Sequence, residues 1–559
     1  MNLTGLRLTT TIPIPSDNSN LPREGSRDSD SVLKKQLYKL LGAKPSWLSR
    51  RHLLAVLITL CLVVGILFTP IFISLPGSIG FVGDAEPLPD ILATAAAPNV
   101  TVEQKTEADL AVDALYARQS TTLVQAAARY SLRTGRDPPP NYDRWFQFAR
   151  DRKCLVDEYD QIHRDFKPFY QLAERNKEYF GRIVNRAARQ LMDTPAEICR
   201  VEIRNGEPFF AGYTAYGGTW PDSFSKFSEF LPNTTFLING LDEPRVAFNV
   251  RAPHALERAF LLNDSIPFHI DPNSTADFFA RQSGCNNIPL EEDGFMQSAN
   301  EVHSFLMSSA KSGFTTDLYP MLSMARISPC FSDILYPSEY FYSRSWWSAK
   351  YSHEDDIPWS NKTAKLYWRG MSTGGMIRGN NYHTFMRFKL VSLGRAHPDL
   401  LDVKFTRFAE TLCLEEEGCD RAAVAEAYNI TEAPEPREDG YAFRYAMDVD
   451  GTTFSGRFLA LLRSGSLVFK ATLFEEFFND WLRPFEHYIP VKADLSDLVQ
   501  QLKWANEHPD EARLIQQRGQ AMARRVMTDD QNDCYFVALL LEWSRLQEES
   551  GVPFSLDQD

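Results

Sequence analysis

The sequence is poor in the patterns that mark nucleic-acid-binding, zinc-binding and repeat proteins. Its net charge is −14, and residues 1–52 carry 9 Lys and Arg against 4 Asp and Glu, a net charge of +5. The remainder is therefore at −19, which argues against a nucleic-acid partner. The 8 cysteines form no CxxC pair or Cys/His cluster with zinc spacing. No internal repeat of about 20 to 50 residues is present.

One hydrophobic run, Leu53–Ile73, is long enough to cross a bilayer. Basic residues precede it, whereas the chain after it soon reaches Asp84 and Glu86, so the positive-inside rule places residues 1–52 in the cytoplasm. The run is too long and too far from Met1 for a cleaved signal peptide. We therefore expect a disordered cytoplasmic tail at 1–52, a transmembrane signal anchor at 53–73 and a luminal stem at 74–135.

The cysteines and glycosylation sequons fit a luminal domain of the secretory pathway. Seven cysteines follow the hydrophobic run, an odd number, so at least one stays free or pairs with another chain. Cys413 and Cys419 are close enough to bridge a small loop, and the other pairings stay open. Six sequons follow the run, at Asn99, Asn233, Asn263, Asn273, Asn361 and Asn429. The sequence thus predicts a single-pass type II protein of the Golgi or ER membrane.

A βαβ unit is predicted in the second half of the chain. Tyr445–Val449 is a short apolar run, Asp450 and Gly451 make a turn, Phe454–Arg463 has helical apolar spacing, and Leu467–Phe469 is a second buried strand. The first turn of such a unit lies at the positive end of a helix, where phosphate oxygens bind without a metal. This turn carries three residues suited to a nucleotide diphosphate: Gly451, Ser455 and Arg457.

Several short motifs together resemble the capsule-associated-protein family of glycosyltransferases, which includes fungal xylosyltransferases and animal protein O-glucosyltransferases. The resemblance covers roughly residues 130 to 550. Its motifs are Asp450-Gly451-x-x-x-Ser455-x-Arg457, residues 464–470 (SGSLVFK), 487–491 (HYIPV), 138–145 (PPPNYDRW), 157–160 (DEYD) and 366–370 (LYWRG).

The resemblance implies an α/β protein of GT-B architecture, with two Rossmann-like domains facing a cleft. The residue pattern agrees, since two α/β blocks meet near residue 350. We expect an acceptor-side domain at 136–350 and a nucleotide-sugar-binding domain at 351–559. Within 351–559, a helix capped by Asp494 is expected to carry Leu495 on its apolar face.

Roles for individual residues also follow from the resemblance. Asp242 matches the family's catalytic base, although Leu241 and Glu243 replace the arginine and aromatic residue that flank this Asp in many relatives. Three further residues are expected to bind the donor: Arg369 and Arg457 at the diphosphate, because a guanidinium grips two phosphate oxygens at once, and Glu476 at the ribose.

The triplet Asp448-Val449-Asp450 offers a competing interpretation as a metal and diphosphate site. Asp448 falls within an apolar strand, and the turn already supplies cationic phosphate ligands. We therefore expect no metal or other cofactor.

The sequence thus indicates an inverting glycosyltransferase that moves a sugar, xylose first and glucose second, from a UDP-sugar to a hydroxyl of a glycan or glycoprotein. The alternative is a catalytically inactive carbohydrate-binding or scaffold protein of the same fold. A glycoside hydrolase would need two carboxylates and no diphosphate-binding motif.

Overall fold

The computed structural model describes residues 105–192, 198–212, 214–261, 315, 317–329, 331–347 and 355–556. The predicted cytoplasmic tail, the predicted span at 53–73 and the first half of the predicted stem, residues 74–104, lie outside these ranges. Among the residues that are described, no helix is long and apolar enough to cross a membrane. The anchor at 53–73 therefore stays a prediction.

The helices begin and end at local signals in the sequence. In the first helix, for example, Thr106 and Asp109 form a reciprocal capping box, and the second ends at Gly135 in the left-handed region, φ 71°. The helices of the described chain are α1 Glu107–Ala117, α2 Leu123–Thr134, α3 Tyr142–Asp151, α4 Asp160–Arg175, α5 Tyr179–Met192, α6 Trp220–Phe227, α7 Ala255–Leu261, α8 Met386–Ala396, α9 Arg421–Tyr428, α10 Phe458–Arg463, α11 Leu498–Glu507, α12 Pro509–Arg525 and α13 Asp529–Ser550.

The strands form two larger sheets and one short pair. In chain order they are β1 Ile198–Arg204, β2 Glu207–Ala211, β3 Thr234–Asn239, β4 Leu322–Ser323, β5 Ala325–Arg326, β6 Ile334–Leu335, β7 Thr363–Met371, β8 Leu401–Arg407, β9 Phe443–Val449, β10 Leu467–Ala471, β11 Glu475–Glu476 and β12 Ile489–Pro490. The short pair is β5 with β11, which run antiparallel and join the two halves of the chain.

The first sheet has the order β2-β1-β3-β4-β6. Strand β1 is antiparallel to both its neighbours, whereas β3, β4 and β6 are mutually parallel. All six residues of β3 are buried, so this strand runs through the core and ends at Asn239. The residues that follow Asn239 therefore lie at the carboxyl edge of the parallel part of the sheet.

The second sheet is entirely parallel, with the order β8-β7-β9-β10-β12. Numbered in chain order within the sheet, the strands have the 2-1-3-4-5 order of a doubly wound fold. The strand order reverses between β7 and β9. Ligands of such sheets bind beyond the carboxyl ends of the strands at this reversal. The protein is thus α/β, and the predicted βαβ unit is confirmed because β9 and β10 are parallel neighbours.

The last helix, α13, returns to the first half of the molecule. It packs against α3, α4, α5 and β3, a disulfide joins Cys534 to Cys154, and Trp543 Nε1 donates to the carbonyl of Thr235 at 2.9 Å. The predicted division at residue 350 assigns α13 to the second domain. In the structure, α13 instead completes the core around the first sheet. The other disulfide of the described chain is the expected one between Cys413 and Cys419.

Two helix starts differ from the sequence-based expectation. The helix after β9 begins at Phe458 instead of Phe454, because the preceding residues form an irregular loop. Helix α11 begins at Leu498, and Leu495 adopts a left-handed φ of 62° before it. In both cases the apolar residues that suggested a longer helix are buried, but they lie in the loop before the helix.

Candidate active site

The turn that follows β3 is fixed by the side chain of Asn239. Its Oδ1 accepts hydrogen bonds from the backbone N–H of Leu241 at 3.0 Å and from Nε of the buried Arg245 at 2.8 Å. Its Nδ2 donates to the carbonyl of Glu243. The turn leaves Asp242 partly exposed while Glu243 is buried. An Asn at the end of a buried strand thus presents the predicted base at the carboxyl edge of the first sheet.

The loop after β9 reaches this carboxylate. Thr453 Oγ1 donates a hydrogen bond to Asp242 Oδ2 at 2.9 Å, although 211 residues separate the two in sequence. Residues 450–457, which we call the donor loop, therefore connect the carboxyl edges of the two sheets. The contact brings the predicted base next to the predicted phosphate-binding residues.

The donor loop is held by an arginine that the sequence analysis did not identify. Arg387 lies in the first turn of α8, after β7, and its guanidinium donates to the carbonyls of Asp450 at 3.0 Å and Met371 at 3.2 Å and to the Thr373 hydroxyl at 2.6 Å. A Cβ on Gly451 would lie 2.8 Å from Arg387 Nη2. Glycine at 451 thus lets this guanidinium pass against the loop backbone.

A cavity of about 390 Å³ opens beside the loop on the β7–β9 part of the second sheet. This volume suits a ligand of nucleotide size. Its wall includes both predicted arginines, Arg369 and Arg457, together with Arg387, Thr373, Trp347 and Glu435. The cavity lies at the strand-order reversal, where a doubly wound sheet binds its ligand.

The two predicted arginines differ in their partners. Arg457 Nη1 donates to the carbonyl of Arg369 at 2.8 Å, and Arg457 forms no ion pair within the described ranges. The side chain of Arg369, by contrast, pairs with Asp402 at 2.7 Å and with Glu435 at 2.6 Å. Two carboxylates already neutralise Arg369, so Arg457 is the better placed of the two to meet a phosphate.

The Ser455 hydroxyl is oriented inward. The residue is 3% exposed, and its Oγ has no hydrogen-bond partner in the part of the chain that the structure describes. The Gly451 N–H, moreover, is used within the loop, where it donates to the carbonyl of Thr453 at 2.8 Å. Ser455 therefore retains unused hydrogen-bonding capacity, while the N–H of Gly451 is already satisfied.

Glu476 lies in a buried charge cluster that also contains Asp448, Asp450 and Lys470. Lys470 Nζ is 2.8 Å from Asp448 Oδ2 and 3.6 Å from Glu476 Oε2. Neither carboxylate oxygen of Glu476 has a hydrogen-bond partner among the described residues, and the side chain is fully buried. Glu476 is therefore not among the residues that line the cavity, and the Lys470 ammonium is its neighbour.

Burial changes the protonation of this cluster. It raises the pKa of Glu476 to about 8 and that of Asp450 to about 7, against the opposing effect of the Lys470 charge. Lys470 also occupies the position next to Asp448 from which a metal ion would have to neutralise it. Within the described ranges no group of three or more His, Cys, Asp or Glu residues is arranged to hold a metal.

The structure therefore places Asp242 against the donor loop, which contains Gly451 and Ser455. Arg369 and Arg457 lie on the adjoining cavity wall. Glu476 lies apart, in the buried cluster. Sequence reasoning missed Arg387 and Thr453. The signal for Arg387 was its position after a predicted strand, as in the phosphate-binding turn. The sequence did not show that this strand, β7, is the neighbour of β9.

The buried carboxylates make stability depend on pH. Because folding raises their pKa, the folded state holds protons that the unfolded state has released at neutral pH. This stabilisation is complete below about pH 4, the unfolded pKa, and is lost as the pH rises through about 7 to 8. The free energy of unfolding should fall with rising pH by about 1.4 kcal/mol per pH unit for each such proton.

The measurement is denaturant unfolding of the protein and of Glu476→Gln between pH 5 and pH 9, a window of about four units around the two pKa values. The variant should show a shallower pH dependence, because its amide does not titrate. Glu416→Gln, at an exposed glutamate, is the matched control. Equal slopes in the parent and Glu476→Gln would show that Glu476 is ionised in the folded state.

Part of the sequence is similar to a known protein family and to individual proteins. Residues 315–552 match glycosyl transferase family 90, a range that contains the second sheet, the donor loop and the cavity but not Asp242. Protein O-glucosyltransferase 2 of Danio rerio is 32% identical over 191 residues, 34% of each chain. Protein O-glucosyltransferases 3 and 1 of Homo sapiens are each 30% identical over 34% of this chain, and over 33% and 43% of their own lengths.

The chain thus spans between a third and a half of the length of these relatives. The matched region includes the motifs around Arg369, Arg457 and His487 that first indicated a glycosyltransferase. The resemblance drawn from those motifs is confirmed, because residues 315–552 match the model of glycosyl transferase family 90.

Proposed function

We propose that this protein is an inverting glycosyltransferase that moves a sugar from a UDP-sugar to a hydroxyl of a glycan or glycoprotein. The observation that carries the proposal is the hydrogen bond between Thr453 and Asp242. It places a partly exposed carboxylate beside a loop and cavity suited to a nucleotide diphosphate. Such a transfer needs a base for the acceptor and cationic groups for the departing diphosphate in one site.

Asp242 serves as the base in this mechanism. Its carboxylate takes the proton of the acceptor hydroxyl while the acceptor oxygen attacks the anomeric carbon from the face opposite the diphosphate. The bond from that carbon to the diphosphate oxygen breaks, and UDP leaves with the bonding electrons. Arg457 meets the negative charge on UDP, and Arg387 holds the loop in position from behind. The step is a direct displacement, which inverts the anomeric configuration.

The architecture that we propose is GT-B, with the cleft between the carboxyl edges of the two sheets. The parallel order 2-1-3-4-5 of the second sheet supports a Rossmann-like nucleotide-binding domain. In the first sheet, β3, β4 and β6 are parallel and end on the side of Asp242. The acceptor would approach from this first sheet and the donor from the second.

For the donor, UDP-xylose is our first choice and UDP-glucose our second. The motifs look closer to the fungal xylosyltransferase branch, whereas the names of the animal relatives specify glucose. For the location, we propose a type II protein of the Golgi or ER membrane with a luminal catalytic domain. Exposed sequon residues at Asn233, Asn361 and Asn429 and the two disulfides support a luminal site.

A panel of UDP-sugars tests the proposed activity directly. The full-length protein should release UDP from UDP-xylose or UDP-glucose, and release should survive EDTA because arginines on the cavity wall, Arg457 first among them, supply the positive charge. Complete loss with EDTA and recovery with Mn²⁺ would favour the metal interpretation of Asp448 and Asp450. A folded protein that binds UDP but consumes no UDP-sugar would favour the inactive scaffold.

Removal of the Arg457 guanidinium should weaken donor binding without unfolding the protein. A charge-assisted phosphate contact contributes roughly 1.5–3 kcal/mol, so Arg457→Ala should bind UDP about tenfold or more weakly. Calorimetric titration with UDP measures this. Arg524→Ala, at an exposed arginine on α12, is the control and should bind as the parent does. Unchanged UDP affinity in Arg457→Ala would remove this residue from the donor site.

Removal of the basicity of Asp242 should leave the nucleotide site intact. Asp242→Asn keeps the shape of the side chain, so UDP affinity should stay within a few-fold while transfer slows by a factor on the order of 10²–10⁴. The comparison requires an identified acceptor, because slow donor hydrolysis does not need the base. Transfer close to the parental rate would show that Asp242 only shapes the turn.

Thr453 provides a matched test of the same contact. Thr453→Val removes the hydroxyl that donates to Asp242, so the carboxylate loses a positioning partner and transfer to an identified acceptor should slow by roughly tenfold while UDP affinity stays within a few-fold. Thr453→Ser keeps the donor and should restore the parental rate. An unchanged transfer rate in the Val variant would show that this hydrogen bond does not position Asp242 for the reaction.

A further inference from the structure

Four aromatic side chains form a cluster beside the candidate active site. The aromatic cluster consists of Tyr216, Tyr340, Trp346 and Trp347. The ring centroids of Tyr340 and Trp347 are 4.9 Å apart, those of Trp346 and Trp347 4.6 Å, and those of Tyr216 and Trp347 6.0 Å at a nearly stacked angle of 29°. These separations are those of rings in direct contact.

The cluster touches both halves of the proposed site. Tyr340 lies against the donor loop, since a Cβ on Gly456 would overlap its ring and Phe454 meets it edge to face at 5.6 Å. Burial, and secondarily the charge of Asp242, raise the pKa of the Tyr340 hydroxyl. Trp347 forms part of the wall of the donor cavity. The cluster therefore lies next to the base and to the donor at the same time.

The backbone holds the rings in this position. The Gly218 N–H donates to Glu339 at 2.7 Å, which ties the segment of Tyr216 to that of Tyr340. The Thr214 hydroxyl donates to the carbonyl of Gly240 at 2.9 Å, in the turn that carries Asp242. The rings and the base are thus parts of one hydrogen-bonded framework, and a molecule that contacts the rings is positioned relative to Asp242.

Trp346 differs from most large side chains of the protein because it faces solvent. It is 64% exposed, whereas Tyr216, Tyr340 and Trp347 beneath it are partly buried. An exposed tryptophan that packs on other rings keeps a large, rigid apolar face in contact with water. Exposure of this apolar surface is unfavourable in free energy, and binding of a partner would bury it. Because Trp346 packs on Trp347, which lines the cavity, this exposed ring is placed to contact a molecule that also reaches the candidate active site.

We propose that the aromatic cluster is the acceptor subsite and that the acceptor is a carbohydrate, one pyranose ring of which stacks on Trp346. The proposal rests on the function proposed above and adds the chemical class of the acceptor. The C–H groups on one face of a pyranose pack against an aromatic ring, while its hydroxyls stay available to water and to polar groups of the protein. One hydroxyl of the same glycan then reaches Asp242.

The chemistry of the cluster favours a glycan over a polypeptide acceptor. An extended peptide gains its affinity from main-chain hydrogen bonds at an open strand edge or from a groove with side-chain pockets. The cluster offers instead a small platform of rings with the proposed base beside it. A platform of this kind binds a neutral, hydroxyl-rich ring whose faces are apolar and whose edges are polar.

The test measures glycan binding in the absence of donor. Full-length protein is applied to an array of short neutral oligosaccharides built from glucose, mannose, galactose or xylose. The parent should bind at least one of them, and Trp346→Ala should bind it roughly tenfold more weakly, because a stacked aromatic contact is lost. Trp346→Phe retains a ring and should stay within a few-fold of the parent.

Two controls separate binding from folding. Phe209→Ala removes an exposed aromatic side chain of β2 outside the cluster and should leave glycan binding unchanged. The thermal unfolding temperature and UDP affinity of Trp346→Ala should equal those of the parent. If the alanine variant is destabilised, Trp346→Gln provides the same loss of the ring with a polar side chain and decides the outcome.

The proposal is overturned if the parent binds no oligosaccharide on the array, or if Trp346→Ala binds as well as Phe209→Ala. Transfer of sugar to a polypeptide without glycans, with the array empty, would assign the surface to a protein acceptor instead. Failure of UDP release from every UDP-sugar, with glycan binding intact and dependent on Trp346, would contradict the transferase function and leave a carbohydrate-binding site. The two proposals thus fail separately.

Discussion

The pairing of β7 with β9 is the constraint on which the site depends. In a doubly wound parallel sheet, the connections that follow the two central strands run to opposite sides. Neither connection covers the gap beyond the carboxyl ends of these strands. Here that gap holds the donor cavity, with Arg369 at the end of β7, Arg387 after it and the donor loop after β9. Every candidate donor contact is a consequence of this one reversal of strand order.

The donor loop is held at its start by buried polar contacts. Arg387 donates to the carbonyls of Met371 and Asp450, at the ends of β7 and β9. The Asp450 carboxylate accepts a hydrogen bond from the Leu473 N–H at 2.8 Å, and Lys470 and Asp448 form an ion pair at 2.8 Å in the strands just before the loop. Buried charges are costly when unpaired, so each partner holds the other in place. A rigid loop of this kind positions a phosphate without reorganisation during the reaction.

The donor loop contacts the first half of the molecule through both polar and aromatic side chains. Thr453 donates to Asp242, the ring of Tyr340 lies against Gly456, and the rings of Phe341 and Phe454 are in contact. The return of α13 to the first sheet, with its disulfide to Cys154, joins the last helix of the described chain to the helices that precede β1. Asp242, the aromatic cluster and the donor loop therefore belong to one framework although they come from distant parts of the sequence.

The sequence by itself determined the local units and the family. The apolar runs of β9 and β10, the Asp-Gly turn between them and the short Cys413–Cys419 bridge were readable because each depends on neighbours a few residues away. The motifs were specific enough to identify glycosyl transferase family 90 at residues 315–552. The roles of Asp242 and Glu476 came from the resemblance alone, because nothing in their local spacing distinguishes a base from a turn residue.

Tertiary structure decided which of these residues meet. Arg369 and Arg457 are equivalent as cations in the sequence, but only the fold shows that Asp402 and Glu435 neutralise the first. Glu476 is one of two adjacent glutamates, and only the fold buries it beside Lys470. Arg387 and Thr453 became visible only when strands far apart in sequence were placed side by side. Charge compensation and burial depend on neighbours in space, and for that reason sequence spacing does not contain them.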